Sequence, residues 1–354
     1  MELKHISPED VEFFMMHGYL VVKNAFSRAQ AQEFTKDLWV RLGMDPEDPS
    51  TWDKERVHMP ARRQVAVKDF APKAWNAMTD LLGGEDRIDP AASAWGDSFI
   101  VNLGVPASAP PGAASAFGST DPTPAHLANW HVDGDFFVHF LDSPEQALLV
   151  VPLFSDVRPD GGATYIAPDG LAPVARYLAA HPEGVVPLRL SFVPADSPAL
   201  LPGASTASTM KPEDDPGFRS HPAEARKCRE FVALTGDVGD VVLLHPLTLH
   251  SASPNVLGVP RVITNPPVAL REPFAFDRAD PGEFSVVERA TLRALGVDRL
   301  EYGRTGARRR VVPPRLAVQA KLAEEEARRL EDMEQKRAQA GATNGGVPQT
   351  VAVA

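Results

Sequence analysis

The chain has 354 residues, 44% of them hydrophobic and 23% charged, which is enough to bury a large core as one large domain or two ordinary ones. A formal charge of −11 provides no basic footprint for phosphate backbones or anionic membrane surfaces, which argues against nucleic acid and lipid headgroups as partners. The single cysteine, Cys228, excludes an intrachain disulfide and a thiolate metal cluster, so any metal falls to His, Asp or Glu and a reducing, cytoplasmic setting is expected.

The opening stretch MELKHISPEDVEFFMMHGYL lacks the basic start and apolar core of a signal peptide. Ser7-Pro8-Glu9-Asp10 predicts a capped helix that Gly18 ends, followed by a β-type run from Tyr19 to Lys23. Ser27 and Gln30 form a second capping box for a helix through about Leu42. Pro72 opens a third helix, with Trp75, Met78 and Leu82 on one face before Gly83-Gly84.

From about residue 97 the pattern changes to short β-prone segments. These are Ser98 to Leu103, Asn129 to Asp133, Ala147 to Phe154, Ala163 to Ala167, Pro187 to Val193, Glu230 to Thr235, Val241 to His245, Leu247 to Ser251 and Arg261 to Ala269. The longest apolar run, Ala147 to Phe154, is well short of the roughly 20 residues that cross a bilayer. Proline, at 34 residues, runs close to twice the usual ~5% and fits a chain of turns and interrupted strands. Two long irregular stretches, Gly104 to Leu127 and Pro194 to Lys227, flank the candidate metal ligands and read either as covers or as plain surface loops.

Ser285 and Glu288 cap a further helix ended by Gly296. The segment from about Pro314 to Ala340, with Glu324/Arg328, Glu325/Arg329 and Asp332/Lys336 at i,i+4, reads as a solvated helix. The expected fold is mainly β with flanking helices (α+β). The expected organisation is a single domain over 1–312, made of a mainly helical part (1–95), a core of short strands (96–270) and a helical closing segment (271–312). A charged helix (313–340) and a disordered tail (341–354) would follow.

A histidine two residues before an acid is, by itself, a weak signal; chance supplies about one such pair in this composition, and the chain has two. His181-Pro182-Glu183 closes a helical segment and reads as a terminator. His131-Val132-Asp133 sits in Asn-Trp-His-Val-Asp-Gly-Asp, where extended geometry turns residues 129, 131 and 133 to one face and Gly134 lets the chain turn away. Iron(II) oxygenases complete a facial triad with a second histidine and keep the remaining positions open. The run Gly239 to Asn255 offers His245 and His250, and spacing leaves either as the ligand. Arg261 opens the next apolar run, where a buried guanidinium needs an anion and fits a carboxylate in a bidentate fork. Trp130 reads as core packing, His126, His139 and His221 as satisfied or solvated histidines, and Asp135 as a turn acid.

Taken together, these elements resemble the phytanoyl-CoA dioxygenase-like branch of the iron(II)/2-oxoglutarate oxygenases. The shared pattern is an N-terminal helix before "GYLVV", the HxD segment, the "GG-x-T-x-I-x-P" stretch from Gly161 to Pro168, "GD-VVLLH…LH-x-x-x-x-N", and an arginine 11 residues after the last histidine. The resemblance covers about residues 8 to 270. It implies a double-stranded β-helix (jelly-roll, cupin-like) core, His131, Asp133 and His250 as iron ligands, and Arg261 as the partner of the distal carboxylate of 2-oxoglutarate. It implies Asn129 near the other end of that co-substrate, and Thr164 as a further contact. The hydroxyl that relatives often carry two residues after the distal histidine is replaced here by Ala252. The implied chemistry is hydroxylation or desaturation of a small organic molecule with dioxygen, releasing succinate and carbon dioxide. Two alternatives are a cupin-like metalloenzyme that does not use 2-oxoglutarate and a catalytically silent jelly-roll that binds a ligand.

Overall fold

The computed structural model of the chain describes residues 3–110, 112–119, 121, 123–188, 191–195, 220–313 and 315–344. Local signals decide the first elements. Helix α1 (Pro8–His17) begins at Ser7, whose hydroxyl accepts from the Asp10 amide while the Asp10 carboxylate accepts from Ser7, and it ends at Gly18 in the left-handed region. Strand β1 (Tyr19–Val22) leads to α2 (Arg28–Thr35), capped by Ser27 and Gln30, and the chain breaks before a separate α3 (Leu38–Leu42). Then come β2 (Arg56–His58), β3 (Gln64–Ala66), α4 (Val67–Phe70) and α5 (Pro72–Leu82), which buries Trp75, Met78, Leu81 and Leu82.

The strand-rich part holds β4 (Ala94–Gly96), β5 (Ile100–Asn102), β6 (Leu148–Pro152) and β7 (Thr164–Ala167), then α6 (Leu171–Ala180), β8 (Val185–Leu188) and β9 (Ser191–Pro194). It continues through α7 (His221–Ala225), β10 (Val232–Leu234), β11 (Val241–Leu244), β12 (Leu249–Ala252), β13 (Arg261–Ile263) and β14 (Pro267–Val268). Helices α8 (Val286–Leu295) and α9 (Arg315–Asn344) close the order.

Every strand pairing among the described residues is antiparallel. One sheet runs β1-β11-β6-β14, a second β10-β7-β12 and a third β13-β5-β2; β3-β4 and β8-β9 are hairpin pairs. Leu149, Val151, Val242 and Leu244 of the first sheet, Ile166 and Leu234 of the second and Ile263 of the third pack into one apolar cluster. The three sheets therefore turn their inner faces to a common interior. Helices α1, α5 and α6 pack against α8. No described helix is long and apolar enough to cross a membrane.

Three expectations change. The balance is mixed helix and sheet, not mainly β, because the strands run to only two to five residues while α9 spans 30. The strand expected over Asn129 to Asp133 shrinks to a single bridge between His131 and His250 on the edge of β12 away from β7. Finally, α9 is docked along one face as well as solvated. Glu326 is buried and accepts from Arg41 Nε at 2.8 Å, Arg41 is also held by Asp97 at 2.9 Å, and Arg329 donates to the Arg41 carbonyl at 2.7 Å. A helix poor in apolar residues is thus fixed by a buried ion-pair network instead of an apolar stripe. It also runs on to Asn344, so residues 341–344 of the expected disordered tail are helical; 345–354 lie outside the described residues.

Candidate metal centre

The centre is assembled by one backbone pair. His131 donates its amide to the His250 carbonyl at 2.9 Å and His250 donates to the His131 carbonyl at 3.0 Å, the reciprocal exchange of an antiparallel pair. Side chains of such a pair leave the same face, and the two imidazole centroids lie 4.2 Å apart. Asp133, two residues on, brings its carboxylate between them: Oδ1 lies 3.3 Å from His131 Nε2 and Oδ2 lies 3.7 Å from His250 Nε2.

Both rings are set in the tautomer a metal needs. His131 Nδ1 meets the Asn129 carbonyl at 2.7 Å and His250 Nδ1 meets the Thr248 carbonyl at 3.1 Å. A carbonyl only accepts, so each Nδ1 carries a proton and each Nε2 is the ring nitrogen turned toward Asp133. One donor atom from each residue lies within 4.8 Å of the others. A first-row divalent ion with N and O ligands at about 2.1 Å needs neighbouring donors about 3 Å apart, so this set fits such an ion after small inward movement.

The electrostatics agree. Burial works against the charge on Asp133, but His250 and His131 outweigh it and hold the carboxyl well below its usual range. Burial likewise works against protonated His250, and Asp133 reverses that, raising its pKa. Asn265 donates to Asp133 Oδ2 at 2.9 Å and fixes the carboxylate's rotation. Gly134 is needed at the turn that follows: its φ is 111°, and a Cβ there would collide with the rings of His139 and Phe137. His139, buried and stacked on Phe137 at 4.1 Å between centroids, donates to the Gly134 carbonyl at 2.8 Å; burial pushes its pKa down to about 4.

Of the two histidines that spacing left open, the structure separates the roles. His245 faces away, its Nε2 at 2.9 Å from Thr291 Oγ1 of α8 and its Nδ1 accepting from the Leu247 amide, with its pKa pushed down to about 3 by burial. Thr164 begins β7 opposite Ala252, and Ile166 lies opposite His250, so Thr164 shares the site face one pair along. Asn129 contributes its carbonyl to His131; no side-chain contact of Asn129 is seen among the described residues.

Arg261 is buried beside Asn102, its register partner on β5. Its Nε donates to the Gly162 carbonyl at 3.0 Å, and its Nη1, fully buried, meets no acceptor among the described residues. Burial lowers its pKa to about 9. A buried guanidinium N–H without an acceptor is costly in a folded protein.

The other residues singled out earlier are absorbed by structure. Trp130 is fully buried and donates to the Pro124 carbonyl at 2.9 Å. His126 pairs with Asp121 at 2.8 Å, and His181 meets the Tyr177 carbonyl at 2.8 Å as the cap of α6. His221 opens α7. Asp135 is more than a turn acid: Arg315, the first residue of α9, grips both its oxygens at 2.8 Å. Asn265, which reaches the triad through Asp133, was not legible as a site residue, since it stands in no spaced motif with the triad.

No protein-family model matches the chain and no curated protein matches it. Among solved structures, the epimerase SnoN in complex with Fe3+, alpha ketoglutarate and nogalamycin RO aligns at 14% identity and TM-score 0.34 over 74% of this chain and 82% of its own. The alpha ketoglutarate dependent carbocyclase SnoK aligns at 12% identity and TM-score 0.34, over 76% of this chain and 86% of its own. HygX from Streptomyces hygroscopicus, solved with nickel, 2-oxoglutarate and hygromycin B, aligns at 13% identity and TM-score 0.35, over 77% and 90%. Likenesses at these identities and TM-scores do not assign the chain to a family.

Proposed function

We propose that His131, Asp133 and His250 bind iron(II) and that the chain is a 2-oxoglutarate-dependent dioxygenase acting on a small organic molecule. The observation that carries this reading is the gathering of two Nε2 atoms and one carboxylate on a single face. The orphaned Nη1 of Arg261 adds a seat for an organic acid. The proposal includes a jelly-roll core, one catalytic domain over 1–312 and a cytoplasmic setting suited to a single unpaired cysteine.

In this reading the bound iron and 2-oxoglutarate supply the oxidising power, with dioxygen as the other reactant and succinate and carbon dioxide as products. The chain's own groups position and insulate. Arg261 holds the distal carboxylate of 2-oxoglutarate, with Thr164 and Asn129 placed to border the co-substrate. The Asn129 and Thr248 carbonyls keep the Nδ1 protons in place, so each ring would offer Nε2 to the metal. Asn265 stops Asp133 from rotating away. The retained carboxylate at 133 favours hydroxylation or desaturation over halogenation, which leaves that position to a halide.

Purified protein given iron(II) and 2-oxoglutarate without oxygen is expected to develop the weak visible charge-transfer band of the chelate, and His131→Ala is expected to lose it. No band in the parent protein would sink the proposal. If Arg261 instead receives the acid group of the substrate itself, metal-dependent turnover will proceed without succinate release.

A further inference from the structure

Arg56 is a second guanidinium turned toward the same interior. On β5, Asn102 is the register partner of Arg261 on one side and of Arg56 on the other. Directly opposed residues leave the same face of a sheet, so the two arginines rise together from strands two spacings, about 10 Å, apart. That face is the inner one: Ile100 and Ile263, next along it, belong to the interior cluster. Arg261 lies at the floor, 2% exposed, while Arg56 keeps part of its side chain exposed at the rim although its guanidinium sits deep enough for burial to lower its pKa.

The acids around Arg56 are already engaged. Its neighbour Glu55 accepts from the Ser115 hydroxyl and from the Ala116 amide at 2.8 Å. Asp133 faces the two histidines and Asn265, and Asp135 is gripped by Arg315. No ion pair of Arg56 is seen among the described residues. Its guanidinium carbon instead lies 4.7 Å from the centre of the Phe117 ring, within the range of a cation–π contact. Burial lowers its pKa while Asp133 and then Glu55 raise it, and its charge in turn lowers Arg261, so Arg56 acts on the metal end of the interior.

Arg56 thus carries its charge on the inner face of the sheet that also holds Arg261, close enough to Asp133 for the two charges to interact, and neither Arg56 nor Glu55 is joined in an ion pair among the described residues. We propose that the substrate is a small organic acid and that Arg56, beside Phe117, receives its carboxylate and so points the rest of the molecule at the metal. This rests on the iron and 2-oxoglutarate reading above.

The test uses the anaerobic iron(II) protein at saturating 2-oxoglutarate. Matched probes are titrated in: octanoate with octanamide, benzoate with benzamide, and phenylacetate with phenylacetamide. Binding is read by perturbation of the charge-transfer band and by thermal shift. At least one acid should bind tenfold or more tighter than its amide. Arg56→Gln should erase that preference while Arg56→Lys retains part of it, and Arg56→Gln should hold 2-oxoglutarate within about threefold of the parent. Equal binding of acids and amides, no acid binding at all, or loss of 2-oxoglutarate in Arg56→Gln as severe as in Arg261→Gln would overturn the assignment. Absence of the band in the parent protein would overturn the site reading and this assignment with it; a normal band without acid preference overturns this assignment only.

Discussion

Arg41 and Arg261 are equally buried, at 2% exposure each, yet they are held in opposite ways. Arg41 spends its guanidinium on Asp97, Glu326 and the Pro60 carbonyl, with contacts between 2.6 and 2.9 Å. Arg261 has one backbone acceptor and a buried Nη1 with none. The same contrast separates His245, closed off by Thr291 and the Leu247 amide, from His250, whose Nε2 meets only the carboxylate of a triad. A buried polar group with every valence met holds a fold together, whereas the spare Nη1 of Arg261 is the group that the proposed co-substrate would engage.

The largest effect should come from the saturated side. Arg41→Gln strands Asp97 and Glu326 without their cation and is expected to cost about 3–5 kcal/mol in urea unfolding, with α9 detaching. If stability is unchanged, Arg41 is not the structural member of the pair.

Acid separates the histidines next. Buried His139 and His245 have folded pKa values near 4 and 3, below the unfolded value of about 6.5, so the fold binds fewer protons than the open chain. The stability they contribute is complete above about pH 6.5 and is lost as pH falls toward those values, at up to about 1.4 kcal/mol per pH unit for each group. His250 is shifted upward, so its proton competes with the metal and loading should fail at a higher pH than an ordinary imidazole would give. Thermal melts and manganese(II) titrations across the same pH series read the two effects separately; a melting temperature flat from about pH 7 to 5 would contradict the first.

Arg261→Gln is expected to weaken 2-oxoglutarate binding by roughly 2–3 kcal/mol while barely altering unfolding, measured calorimetrically with manganese(II) in place. Asn265→Ala should be the mildest, lowering metal affinity about tenfold to a hundredfold through a freely turning Asp133, with His131 and His250 untouched.

What could be read from the chain alone follows the range over which each feature is decided. Capping boxes at Ser7, Ser27 and Ser285 act within four residues and appear where the pattern puts them. His131 and Asp133 could be read as a pair because strand alternation and a turn glycine are local, even though the strand around His131 proved to be one bridge, whereas spacing left His245 and His250 open and only the family resemblance pointed to His250. Asn265 sits before two prolines with no spacing that announces it, and Arg56 lies on a three-residue strand without apolar alternation. The Arg41–Glu326 contact joins residues 285 apart, where no periodicity reaches.

That last contact has a bearing on how the molecule comes into being. Arg41 and Asp97 are made early, but the acid that completes their network lies 285 residues after Arg41, and Asp135 likewise waits for Arg315. While the chain emerges from the ribosome, the first helices and the edge of the metal end hold charges whose partners do not yet exist. The ion pairs of Arg41 with Glu326 and of Asp135 with Arg315 can thus form only after residues 315 to 326 have been made.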